Sequence, residues 1–144
     1  MSSLPPYNPP RSQRIAWLLH QDGAAEAIAA AGPDLGGVAA AWSERTADRD
    51  RLSALVDAPI FDNVEWHPLA PGSEAAVAVA IRDTAGSTLV IAGSQALDAL
   101  LRELVDLPPG RARLRFIPGL ATTVQVLPDR AVLRHLNQGG ALLP

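Results

Sequence analysis

The stretch Ser87-Thr88-Leu89-Val90-Ile91-Ala92, followed by Gly93-Ser94-Gln95, constrains this chain more than any other. Its first six residues carry no charge and read as a buried strand, and Gly93 marks a tight turn. Beyond the turn, Leu97, Leu100, Leu101, Leu104 and Val105 recur at helical spacing, with Asp98, Arg102, Glu103 and Asp106 on the other side. Pro108-Pro109-Gly110 ends that helix. A buried strand feeding directly into an amphipathic helix is the repeating unit of layered α/β domains.

The rest of the chain follows the same alternation. Arg14 to Leu19 is a short apolar run closed by His20-Gln21-Asp22-Gly23, which reads as strand and turn. Ala24 to Ala31 is alanine-rich and predicts a helix stopped by Gly32-Pro33. Val38 to Trp42 predicts a second strand, residues 47–56 a helix with Leu52, Leu55 and Val56 on one side, and Pro59-Ile60-Phe61 an extended segment. Ser73 is placed to cap a helix over Glu74 to Asp83, although its Ala/Val content also suits a strand. Arg113 to Ile117, Ala121 to Leu127 and Arg130 to Leu136 read as strands, the last two joined as a hairpin at Pro128-Asp129. The expected fold is a three-layer α/β domain: a mostly parallel sheet, helices on both faces and a C-terminal antiparallel hairpin. It is expected to span residues 14–137, between a Pro-rich disordered tail at 1–13 and a short tail at 138–144.

Composition narrows the chemistry. With 144 residues, 48% of them hydrophobic, the chain is sized for one domain with a real core. A formal net charge of -3 provides no footprint for nucleic acid or an anionic membrane. The absence of cysteine excludes disulfides, thiolate metal sites and thiol nucleophiles. His20, His67 and His135 stand at no spacing typical of a zinc site, so no metal and no cofactor is expected. No basic stretch leads into an apolar one of signal-peptide length, and no apolar run approaches a membrane span. The expectation is a cytoplasmic protein. Pro6-Tyr7-Asn8-Pro9 fits a PxxP pattern that is common by chance.

The unit from Ser87 to Leu101 resembles the second catalytic segment of the histidine phosphatase (phosphoglycerate mutase-like) superfamily, where a V-V-S-H-G-G-like turn opens a helix. Ala131-Val132-Leu133-Arg134-His135-Leu136-Asn137 is similar to the family's closing strand, with its R-x-x-N-like end. The resemblance is best from Gly72 to Asn137. It implies a pocket at the strand ends in which one histidine, in an R-H-G motif, attacks phosphorus, arginines bind the phosphoryl oxygens and a carboxylate protonates the leaving group. Mapped residue by residue, His20 falls at the nucleophile, Arg45 or Arg49 at a phosphate-binding arginine and Glu65 at the acid. The pattern is broken at three positions: Leu19 replaces the arginine, Gln21 the glycine, and Gly93 the second histidine. The family's long insertion after the third strand is also largely missing.

Each of these residues also has a plainer role. His20 suits a polar loop position, Arg45 and Arg49 a salt-bridged surface among Glu44, Asp48 and Asp50, and Glu65-Trp66-His67 ordinary packing. Gly93 could serve only the tight turn, while the amides of Gly93, Ser94 and Gln95 could hold an anion. Losing one phosphate-binding donor costs about 10² to 10³ in rate. The expected function is therefore a non-catalytic domain used for protein interaction or self-association. The alternatives are a low-efficiency phosphomonoester hydrolase acting through His20, and a module that binds a phosphorylated small molecule.

Overall fold

The computed structural model describes residues 14–31, 35, 38–45, 64–105 and 114–138. The expected tail 1–13, residues 139–144 of the other tail, the helix over 47–56, the segment Pro59-Ile60-Phe61 and Arg49 lie outside them, whereas Gln138 belongs to the last strand.

Six strands form one sheet. They are β1 (Arg14–His20), β2 (Val38–Ser43), β3 (Glu65–Pro68), β4 (Ser87–Ala92), β5 (Ala121–Val126) and β6 (Ala131–Gln138), in the spatial order β3-β2-β4-β1-β5-β6. β3, β2, β4 and β1 are mutually parallel, whereas β5 and β6 run antiparallel at one side. This is the expected mostly parallel sheet with its C-terminal hairpin. β4 is buried along all six residues and lies between β2 and β1.

The alternation of side chains across these strands separates two cores. On one face Ala16, Leu18, Ala40, Trp42, Val90, Ala92, Val124 and Val126 meet two helices, α2 (Glu74–Asp83) and α3 (Ser94–Val105). These helices contribute Val77, Ala78 and Ile81, and Leu97, Leu100, Leu101 and Leu104. On the other face Leu19, Ala41, Leu89, Ile91 and Ala121 pack with Ala24, Ala27 and Ile28 of α1 (Ala24–Ala31). The leucine spacing of α3 was the signal for its buried side, and all four leucines are at most 2% exposed.

Arginines close the helix ends. Arg14, at the start of β1, donates to the carbonyls of Arg82 and Thr84 at the end of α2, at 2.9 and 3.0 Å. Arg82 in turn donates to the carbonyls of Glu103 and Leu104 at the end of α3. Both guanidiniums satisfy C-terminal carbonyls and oppose the negative end of the helix dipole.

Three local expectations are corrected. Ser73 precedes α2 as expected, but its hydroxyl makes no capping bond and donates instead to the Ala70 carbonyl at 2.6 Å. Leu114 to Ile117 is not a strand, because side chains capture its backbone groups. The Leu114 amide donates to Asp98, the Ile117 amide donates to Asn137 Oδ1, and Asn137 Nδ2 donates to the Arg115 carbonyl. The strand Glu65–Pro68 was not anticipated. It pairs with β2 alone among the described residues, and its Glu-Trp-His-Pro sequence has neither the length nor the alternation that signals a strand.

One buried polar group gives a direct test of the packing. The Thr88 side chain is 1% exposed on the α2/α3 face, and its hydroxyl has no hydrogen-bond partner. Thr88→Val keeps the shape and removes that hydroxyl, so urea denaturation should show a gain of about 1 kcal/mol. A loss of stability would mean that the hydroxyl is hydrogen-bonded in solution.

Candidate functional site

The chain leaves β1 through α1 on one face and leaves the adjacent β4 through α3 on the other. Divergence from two neighbouring parallel strands opens a crevice at their C-terminal ends, where open α/β sheets bind ligands. His20 closes β1 and Gly93 follows β4; their strands are in register at His20 and Ala92. Glu44 and Arg45 follow Ser43 at the end of β2 and complete the rim.

His20 makes a local bond to the turn that follows it. Its Nδ1 accepts the Asp22 backbone N–H at 3.1 Å, and its side chain is 14% exposed. A backbone amide only donates, so Nδ1 supplies the lone pair and a neutral ring carries its proton on Nε2. In that tautomer neither nitrogen offers a free lone pair to phosphorus. The Asp22 carboxylate stands 3.7 Å from Nδ1, too far for a hydrogen bond.

Arg45 reaches the site, but a carboxylate already holds it. Its Nη2 lies 2.9 Å from Asp22 Oδ1, with the two side chains 46% and 58% exposed. Ser43 fixes the Arg45 backbone, accepting its N–H at 3.2 Å and donating to its carbonyl at 2.8 Å. The plainer expectation, a salt-bridged arginine, is the one realised here. Among the described residues its partner comes from the β1 exit.

At Gly93 the backbone amide donates to Glu44 Oε1 at 2.7 Å. Gly93 is the N-cap residue of α3, and its carbonyl accepts the first helical bond from Leu97 at 3.0 Å. In a capping box a Glu or Gln three residues into the helix reaches back to this amide. Here that position is Ala96, which cannot, and Glu44 supplies the carboxylate from β2. Gly93 is not required by its backbone, because it is not among the positive-φ glycines. A Cβ there would sit at ordinary contact distance, 3.5 Å from Gln21 Nε2 and 3.6 Å from Glu44 Oε1. Ser94 is half-buried and Gln95 exposed in the first turn of the helix.

The structure does not bring Glu65 to His20. β3 is three strand spacings from β1, about 14 Å across the sheet. Glu65 also pairs with Ala40, three residues short of the end of β2, which adds about 10 Å along the strands. Its side chain is 76% exposed, with His67 Nε2 at 3.6 Å. His67 stacks on Trp42 with ring centroids 5.3 Å apart, so this segment packs as an edge of the core. Leu19 is 1% exposed beneath α1, where an arginine would bury an uncompensated charge.

The sequence reading missed Asp22 and Glu44, the two carboxylates that organise the rim, and Asn137, which secures its wall. Asn137 has φ 53° and bonds both Arg115 and Ile117, holding the loop 114–120 against β6. That loop abuts the turn after His20: a Cβ on Gly23 would lie 2.6 Å from the Pro118 carbonyl carbon. The Asp22-Gly23 pair was a visible turn signal, but the close approach from Pro118-Gly119 has no local signature.

No protein-family model matches the sequence, and no curated protein matches it significantly. Solved structures do match. The chain is similar to a protein assigned as an alpha-ribazole-5'-P phosphatase from Escherichia coli, with a TM-score of 0.57 and 13% identity over 87% of this chain and 96% of that one. It is also similar to a phosphoglycerate mutase from Plasmodium falciparum, with a TM-score of 0.60 and 11% identity over 92% of this chain and 95% of that one. The chain shares the fold of these two proteins. In this instance of that fold, the crevice between β1 and β4 is lined by His20 with its Nδ1 occupied, an arginine paired to Asp22, and a helix amide paired to Glu44.

The two glycines at the site should respond differently to alanine. Gly23→Ala forces backbone against backbone and should cost about 1–3 kcal/mol, with amide shifts spreading from residues 20–22 to 117–119. Gly93→Ala fits the space, and the lower unfolded-state entropy of alanine and its poorer N-cap propensity offset each other, so stability should change by less than about 1 kcal/mol. Equal destabilisation in both variants, measured by thermal unfolding, would contradict this geometry.

Proposed function

We propose that this chain is a non-catalytic histidine-phosphatase-fold domain that acts through protein interaction or self-association. The observation that carries the reading is the Glu44 carboxylate on the Gly93 amide. A protein anion there takes the position at which the helix could otherwise receive an anionic ligand. Among the described residues, the rim sets two carboxylates, Asp22 and Glu44, against one guanidinium, that of Arg45. Each carboxylate near a phosphate oxygen would oppose binding by about 1–4 kcal/mol per unit of phosphate charge, depending on local screening. The tautomer of His20 and the remoteness of Glu65 support the same conclusion. On this reading Arg45, Gly93, Ser94 and Gln95 are structural, and Arg49 has no part in chemistry.

An interaction role is supported by apolar side chains left on the surface. Val132 and Leu136 of β6 are 39% and 42% exposed, and Ile117 of the adjoining loop is 43% exposed. Among the described residues β6 pairs only with β5, so these side chains lie on and beside an open sheet edge.

The decisive assay is turnover of a broad phosphomonoester panel by wild type and His20→Ala, together with a trap for phosphohistidine. Neither protein should turn over substrate or carry a label. Turnover by wild type that His20→Ala abolishes would replace this proposal with the hydrolase reading. Calorimetry with inorganic phosphate and sugar phosphates should give no heat of binding, whereas saturable heat would favour a phospho-ligand module. Light scattering after size exclusion should find an oligomer that Val132→Asp with Leu136→Asp disperses. A wild-type monomer that also captures no protein partner would remove the interaction role.

A further inference from the structure

We draw no further inference here: the strongest candidate, the Glu44 carboxylate on the Gly93 amide at the N-terminus of α3, belongs to the site already described and rests on a helix N-terminus without a second observation that points to a ligand.

Discussion

β4 has no solvent-facing side, and that burial imposes most of the architecture. Leu89, Val90, Ile91 and Ala92 are each 0% exposed, with Leu89 and Ile91 turned to one core and Val90 and Ala92 to the other. A strand buried on both faces needs a neighbour on each side and a helix layer above and below. β1 and β2 provide the neighbours, α1 one layer, and α2 with α3 the other. Burying a side chain of this size is worth about 1.5–3 kcal/mol, so displacing β4 would remove several such contributions together. Parallel pairing then requires crossovers, and crossovers to opposite faces produce the crevice between β1 and β4.

Within that crevice three polar contacts are made between protein groups. His20 binds the Asp22 amide, Asp22 binds Arg45, and Glu44 binds the Gly93 amide. Glu44 and Arg45 are consecutive, yet they reach different strand ends. The Glu44 amide donates to Ile91 and the Leu69 amide to the Ser43 carbonyl, which seats the turn between β4 and β3. These contacts resemble the ordinary closure of strand-end turns more than a preorganised anion receptor, which would present uncommitted donors and positive charge. A shared fold carries no activity of its own, so residues at the strand ends must decide what the domain does.

Local pattern revealed much of this. The leucine stripe identified α3, the apolar runs identified β1, β2 and β4, and Pro128-Asp129 marked the turn between β5 and β6. Errors arose where backbone bonding is decided at a distance. Leu114 and Phe116 alternate like strand residues, but Asn137 and Asp98 take the hydrogen bonds that a neighbouring strand would need. Glu65–Pro68 is short and ends in proline, and it becomes a strand only because β2 presents an open side. Glu65 was a reasonable acid by order along the chain, and the strand order removes it from His20.

The amino-acid sequence determined the α/β class, the buried strand β4, the polarity of α3 and the absence of histidine at Gly93, because each is set by residue type and periodicity along one segment. Only the tertiary structure decided which charges meet. Asp22 and Arg45 are 23 residues apart, and Glu44 and Gly93 are 49 apart. No spacing along the chain encodes either pair, because the β4 strand placed between β1 and β2 comes from later in the chain and fixes how their ends face one another.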